Sequence, residues 1–215
     1  MYAVPLAKLG YEVHLVDPYP AHVEEAAQSA THADTRLASA RLGDARQLAA
    51  ADASVDAVLL LGPLYHLVEP SDRATALAEA YRVLRPGGVV FAAGISRFAS
   101  TYDGIRSGAV ADPYFESLAE AALVDGVHRN LDPVAHPNFF TLAYFHRPAE
   151  LREELAAAGF GAIELVAIEG PGSYQSELDL TERAQREAVL RAIERVEREP
   201  SLLGASSHLM VIGTR

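Results

Sequence analysis

Acidic side chains follow two of the candidate strands in this sequence. Asp17 comes directly after residues 12–16, and Asp44 comes after residues 36–42 and one glycine, Gly43. Because a carboxylate only accepts hydrogen bonds, an acid at a strand end of a doubly wound sheet is placed to bind a ribose diol. A second acid one strand further out can accept a hydrogen bond from an adenine amino group. The pattern predicts recognition of an adenosine; the alternative is that both acids are ordinary turn residues.

A third candidate strand, residues 55–61, ends at Gly62 and Pro63. A glycine at a strand end lets the backbone approach a ligand closely, although a plain bend uses glycine as well. Tyr65 and His66 follow this turn. Histidine titrates near neutral pH, so His66 could act as a base or as a hydrogen-bond donor; a role in lining a pocket is favoured.

A helix, a turn and a strand follow one another in the next segment. Helical residues 74–84 run into Pro86, Gly87 and Gly88, and the apolar residues 89–95 come next. Proline cannot continue a helix and glycine supplies the backbone angles of a sharp turn, so we predict a strand directly after this turn. Alternating β and α units are typical of an α/β fold with a doubly wound, mostly parallel sheet, whose ligands bind at the carboxyl ends of its strands.

Residues 98–147 break this alternation. They contain a helix that opens at Pro113 and aromatic side chains that cluster at residues 139–145, and we predict an insertion that forms a helical lid over the carboxyl edge of the sheet. Arg97 could hold a carboxylate of a substrate, with a surface ion pair as the alternative. The candidate substrate-binding residues are Tyr65, Arg97, Tyr102 and Tyr144.

Composition limits the class of protein. The chain has 215 residues, half of them hydrophobic, which suits one domain over residues 1–215. Its net charge of −11 disfavours binding to nucleic acid and to anionic membranes. The absence of cysteine excludes disulfides, and the eight histidines lack metal-ligand spacing, so no metal site is expected. No signal peptide is visible, and a cytoplasmic location is expected.

Four stretches together carry a resemblance to a known family: residues 10–18, 43–45, 55–66 and 80–94. With these in this order and spacing, the chain resembles a class I S-adenosylmethionine-dependent methyltransferase, closest to the small bacterial enzymes of the ubiquinone and menaquinone biosynthesis type. The resemblance implies a Rossmann-like methyltransferase fold with an antiparallel last strand. It also implies S-adenosylmethionine as the cofactor and methyl transfer to a small-molecule acceptor.

The resemblance assigns site residues as well. Asp17 would bind the ribose, Asp44 would bind the adenine, and His66 would line the cofactor pocket. The full set of implied cofactor-binding residues is Asp17, Pro18, Gly43, Asp44, Ala45, Leu61, Gly62 and His66. Methyl transfer from a sulfonium needs positioning and exclusion of water more than a reactive side chain, so no catalytic residue is predicted. The expected partner is the acceptor, and a homodimer stays open.

One feature of the family is missing from the sequence. The first strand and the Gly-x-Gly-x-Gly loop, which hold the methionine end of the cofactor, would precede Met1. We therefore expect a longer natural protein, with a degenerate relative as the alternative. Two other functions stay open: a non-catalytic methyltransferase-like module and an NAD(P)-dependent Rossmann oxidoreductase, because an acid after a strand fits both. The chain has no Tyr-x-x-x-Lys pair of the short-chain dehydrogenase kind, which favours the methyltransferase.

Overall fold

The computed structural model describes residues 2–170, 172 and 178–215, in two compact units, residues 1–51 and 52–215. The helices are α1 (Ala3–Lys8), α2 (Pro20–His32), α3 (Pro63–His66), α4 (Pro70–Val83), α5 (Ala99–Ser107), α6 (Pro113–Asp125), α7 (Pro148–Ala157) and α8 (Arg183–Glu194). The strands are β1 (His14–Asp17), β2 (Ser39–Leu42), β3 (Val55–Leu60), β4 (Leu84–Ser96), β5 (Val127–Arg129), β6 (Leu142–His146), β7 (Gly161–Ala167) and β8 (His208–Thr214). Among the described helices, none is long and apolar enough to span a membrane.

The first unit contains a two-stranded parallel sheet. Strands β1 and β2 pair from His14 opposite Ser39 to Asp17 opposite Leu42. Helix α2 begins at Pro20, where the missing N–H of proline costs no hydrogen bond, and connects the two strands. The carboxyl ends of both strands therefore meet at one edge, and this edge carries Asp17.

The second unit contains a six-stranded sheet in the order β5-β6-β4-β8-β7, with β3 also paired to β4. Strands β3 and β6 run parallel to β4, whereas β8 runs antiparallel to it, which confirms the antiparallel last strand. The β5–β6 and β7–β8 pairs are antiparallel as well. The prediction of a mostly parallel sheet with an antiparallel last strand is confirmed in part. In the larger sheet β3, β4, β6 and β7 run in one direction, whereas β5 and β8 run in the other, so this sheet is mixed. The described strands form two sheets and not one.

The Pro-Gly-Gly segment is an irregular part of β4 and not a turn before it. Helix α4 ends at Val83, one residue before β4 begins, and the pairing of β4 with β3 shifts register between Val55 and Ala57. Gly87 has a φ of +81°, which favours glycine. A Cβ on Gly88 would lie 2.9 Å from the carbonyl oxygen of Arg85 and 3.0 Å from that of Asp56. Both glycines are therefore required where the helix passes directly into the strand.

The core of the second unit lies between the sheet and helices α4 and α7. Fully buried side chains of the sheet include Val90 and Leu209, and those of α7 are Leu151 and Leu155. Helix α7 packs closely, since a Cβ on Gly213 of β8 would lie 2.7 Å from Leu155 Cδ2. Each such leucine contributes about 1.5–3 kcal/mol through burial. This packing fixes β4 and β8, and with them the carboxyl edge of the sheet.

Candidate functional site

Asp17 is held at the end of β1 with one oxygen open. Its Oδ1 accepts hydrogen bonds from the Tyr19 N–H at 2.8 Å and lies 3.1 Å from Nδ1 of His22. Pro18 directs the chain into this tight turn. Oδ2 has no hydrogen-bond partner among the described residues, and the side chain is 29% exposed. A carboxylate fixed by one oxygen and free at the other can accept hydrogen bonds from a diol.

Gly43 joins the ends of β1 and β2. Its N–H donates to the Asp17 carbonyl oxygen at 3.1 Å. A Cβ on Gly43 would lie 2.8 Å from Val16 Cγ1, so a larger residue would push the two strand ends apart. The structure thus brings Asp17, Gly43 and Asp44 to one edge of the small sheet. The sequence predicts this arrangement, because these residues follow the first two candidate strands.

Asp44 already has a charged partner. Its carboxylate accepts from the Arg46 backbone N–H at 2.8 Å, from Nε at 3.0 Å and from Nη2 at 2.6 Å. These hydrogen bonds hold the pKa of Asp44 below its usual value. An adenine amino group would have to share this carboxylate with Arg46. The backbone N–H of Ala45 has no partner among the described residues and offers a second polar contact at the same place.

Gly62 precedes a single helical turn, α3, at the end of β3. A Cβ placed on Gly62 would lie 3.7 Å from the Tyr65 hydroxyl and 3.9 Å from His66 Cδ2, which are ordinary contacts. Packing within the protein therefore does not require glycine here. The Tyr65 hydroxyl donates to the Leu61 carbonyl at 2.9 Å and fixes the turn, while the exposed His66 ring stacks 6.0 Å from the ring of Phe140.

Arg97 and Tyr144 are held by neighbouring protein groups. The Arg97 Nε donates to the Phe145 carbonyl at 2.7 Å, and Nη2 donates to Glu150 Oε2 at 2.7 Å and to the Tyr144 hydroxyl at 3.3 Å. Only 3% of Arg97 is exposed. A substrate carboxylate would have to displace Glu150. The contacts favour a structural role for Arg97, and its substrate-binding role stays a prediction.

A buried ion pair that the sequence analysis missed ties α4 to α7. Arg73 is 1% exposed, lies 2.8 Å from Glu154, and places its guanidinium 3.7 Å above the ring of Tyr144. Burial opposes ionisation of Glu154, but hydrogen bonds from His146 and Arg73 outweigh it and lower its pKa. Arg73 stands on the same helical face as Ala76, Leu77 and Ala80. A charge on an apolar face was the signal that could have revealed it.

The remaining predicted residue and the aromatic cluster lie in residues 98–147. Tyr102 is half-buried on α5. Phe145 is 4% exposed and Phe139 packs edge-on against Phe115 at 5.0 Å, so these rings form core. Among the described residues, no group of three or more His, Cys, Asp or Glu side chains could hold a metal ion.

One groove of about 330 Å³ lies away from the strand ends. It runs between α4 and α7 and is lined by small side chains and by Glu154, whose carboxylate is already engaged with Arg73. Its lining offers no free charged group, and we place no ligand there.

The fold defines the structural class of the protein. The chain is similar in structure to an S-adenosylmethionine-dependent methyltransferase of Methanosarcina mazei, with a TM-score of 0.61, 15% identity, and coverage of 99% of this chain and 85% of the other. A possible histamine N-methyltransferase of Thermotoga maritima matches with a TM-score of 0.53, 19% identity, and coverage of 99% and 76%. The fold is that of the α/β methyltransferases, with a mixed sheet.

Sequence comparison then gives the family. Residues 1–92 match the family described as methyltransferase domain. A ubiquinone biosynthesis O-methyltransferase of Azorhizobium caulinodans is 30% identical over 164 residues, which are 76% of this chain, and the match spans 56% of the relative's length. Residues 1–92 match this methyltransferase family, and the fold agrees with that of the class I S-adenosylmethionine-dependent methyltransferases. The family recognised from the sequence is therefore confirmed.

Proposed function

We propose that this protein transfers a methyl group from S-adenosylmethionine to a small-molecule acceptor. The observation that carries the proposal is Asp17, a half-buried carboxylate at a strand end that is fixed through Oδ1 and open at Oδ2. In this position the carboxylate accepts hydrogen bonds from the hydroxyl groups of a ribose and orients the nucleoside.

The residues around Asp17 fit an adenosine. Asp44 is ionised because Arg46 holds its pKa low, and an ionised carboxylate accepts a hydrogen bond from the exocyclic amino group of adenine. The N–H of Ala45, which is unpaired among the described residues, can donate to a ring nitrogen of the same base. Gly43 keeps the two strand ends close enough for both acids to serve one ligand.

Within residues 52–215 we assign Gly62 and His66 to cofactor binding. The room in front of Gly62 lets a ligand approach the backbone after β3, and the exposed ring of His66 borders that space. Tyr65 and Tyr102 are the acceptor-binding residues that we retain. Arg97 and Tyr144 would act indirectly, since their polar atoms hold β6 and α7 in place.

An oxygen atom is the acceptor position that the comparisons favour. The relative from Azorhizobium caulinodans is an O-methyltransferase, and it matches 76% of this chain. Transfer to oxygen differs from transfer to an amine or a thiol because a hydroxyl group is a weak nucleophile until its proton is removed.

Calorimetric titration with S-adenosylhomocysteine tests the proposal. The protein is produced with any in-frame sequence that its gene encodes ahead of Met1. We expect a one-to-one binding isotherm and a rise in melting temperature with ligand concentration, because a ligand that binds only the folded state stabilises it. No heat and no thermal shift would overturn the proposal.

A further inference from the structure

A histidine and a glutamate meet at the carboxyl edge of the larger sheet. His208 is the first residue of β8 and pairs with Ile95, near the end of β4. Glu169 follows β7, and its Oε1 contacts Nδ1 of His208. Because β8 is antiparallel to β4, its first residue lies at the edge where the parallel strands β3 and β4 end.

The glutamate is held firmly by groups other than the imidazole. Its Oε2 accepts from the Ser206 hydroxyl at 2.8 Å and from the backbone N–H of His208 at 2.9 Å. Ser206 is fully buried, and its Oγ accepts in turn from the N–H groups of Glu169 and Gly170, each at 3.1 Å. These bonds close the connection between β7 and β8 and would persist if the His208 ring were removed.

The imidazole has one nitrogen bound and one open. A carboxylate only accepts hydrogen bonds, so Nδ1 of His208 carries the proton that it donates to Glu169. In the neutral ring, Nε2 is then unprotonated and able to accept a proton. Nε2 has no hydrogen-bond partner in the described part of the chain, and 48% of the side chain is exposed. The ring is thus oriented as a base and open to a ligand.

We infer that His208 is the general base that removes the proton from a phenolic hydroxyl acceptor and that Glu169 is its positioning residue. This inference rests on the proposed function. Strands β8 and β6 flank the end of β4, where Ile95 pairs with His208 on one side and with Phe145 on the other. His208 therefore lies one strand spacing, about 5 Å, from the end of β4. The half-buried ring of Phe98 lies against Gly204 on this side and offers an apolar surface.

The step balances in atoms and electrons. The hydroxyl proton passes to Nε2 of His208, and a lone pair of the oxygen forms the new O–CH₃ bond. The electron pair of the S–CH₃ bond stays on sulfur, which gives the methyl ether, S-adenosylhomocysteine and an imidazolium that releases its proton to water.

The charges around His208 favour this role. The hydrogen bond that His208 donates to Glu169 raises the pKa of His208 against the effect of burial. On the neighbouring elements, Arg97 is engaged with Glu150, and Glu197 pairs with Arg198. Glu169 is therefore the charged group that controls the protonation of His208 in the described chain.

The test compares His208→Gln and Glu169→Gln with the matched control His32→Gln, which changes an exposed histidine of α2. The probes are catechol, whose hydroxyl needs a base, and 4-nitrophenol, which ionises by itself in mildly alkaline solution. We expect kcat/KM for catechol to fall about 100-fold or more in His208→Gln, with transfer to 4-nitrophenol retained. Glu169→Gln should move the acidic limb of the pH–rate profile to lower pH, because it loses the interaction that raises the His208 pKa.

Each other outcome contradicts the inference. Equal losses for catechol and 4-nitrophenol would mean that His208 only supports the structure. Unchanged catechol kinetics in His208→Gln would remove it from the site. Binding of S-adenosylhomocysteine without transfer to either phenol would overturn the phenolic acceptor but leave the proposed function intact, whereas failure of S-adenosylhomocysteine to bind would overturn the proposed function itself.

Discussion

The carboxylates at the ends of β1 and β2 and the buried charges around Tyr144 are both clusters of polar side chains, but they differ in what satisfies them. Asp17 is partly exposed and keeps one oxygen open. Arg73 is almost completely buried, and its guanidinium donates to Glu154 and to the carbonyl oxygens of Leu67 and Val68.

This difference separates a binding group from a structural one. A buried ion pair whose hydrogen bonds are all made within the protein has nothing to offer a ligand, and it fixes one arrangement of the helices that carry it. A carboxylate with an open oxygen at a strand end can exchange water for a ligand. The same residue type thus has opposite roles, and its partners decide which role applies.

Of the substitutions considered, Arg73→Met should have the largest effect, and this effect should be on stability. It leaves Glu154 partly buried without its guanidinium partner, so the free energy of unfolding should fall by about 3–5 kcal/mol. Urea denaturation measures this change. The double variant Arg73→Met/Glu154→Leu should recover part of the loss, because it removes the unpaired charge as well. A loss below about 1 kcal/mol in the single variant would contradict a structural role for this pair.

Substitution of two glycines should give the next largest effects and should separate a structural glycine from a binding one. Gly88→Ala should destabilise the protein by about 1–3 kcal/mol, because its Cβ would press on two backbone oxygens that cannot move independently of β3 and β4. Gly62→Ala is the matched control: its Cβ has room, so the change in unfolding free energy should stay within about 0.5 kcal/mol. The proposed cofactor contact predicts weaker S-adenosylhomocysteine binding for Gly62→Ala. Equal stabilities of the two variants would show that Gly88 is not required in β4.

The smallest expected effect is the pH dependence of stability that comes from the ion pair between Glu169 and His208. The pKa of Glu169 lies below its usual 4.5 and that of His208 above its usual 6.5, so their ion pair stabilises the fold most between these values. The contribution is lost as pH rises through the raised His208 pKa. Because the pair is partly exposed, the difference between wild type and His208→Gln should stay below about 1 kcal/mol. Denaturation at about pH 5.5, 7 and 9 measures it; a difference that grows toward alkaline pH would contradict the ion pair.

Most elements could be predicted from the sequence because their apolar patterns are local. Residues 55–61 were predicted as a strand and β3 is Val55–Leu60; residues 89–95 were predicted as a strand and lie within β4, Leu84–Ser96. The contribution of β5 and β6 to the larger sheet could not be predicted. Strands β5 and β6 are only three and five residues long, and their pairing with each other and with β4 depends on contacts distant in sequence.

In the candidate site, too, local features could be predicted from the sequence, whereas contacts between distant residues could not. The positions of Asp17 and Asp44 after their strands are a local property, and the structure places both there. The partner of Asp44 is local as well, but the burial of Arg97 depends on Phe145 and Glu150, about fifty residues away. His208 and Glu169 meet only because β7 and β8 pair, so nothing in their spacing pointed to them.

Calorimetric titration of Asp17→Ala with S-adenosylhomocysteine tests the central claim most directly. Loss of charged hydrogen bonds to the ribose should weaken binding by about 1.5–3 kcal/mol, while the melting temperature of the free protein changes little. Asp56→Ala, which removes an exposed carboxylate near the start of β3, should bind like wild type. A dissociation constant for Asp17→Ala equal to that of wild type would contradict the assignment of Asp17 to the cofactor.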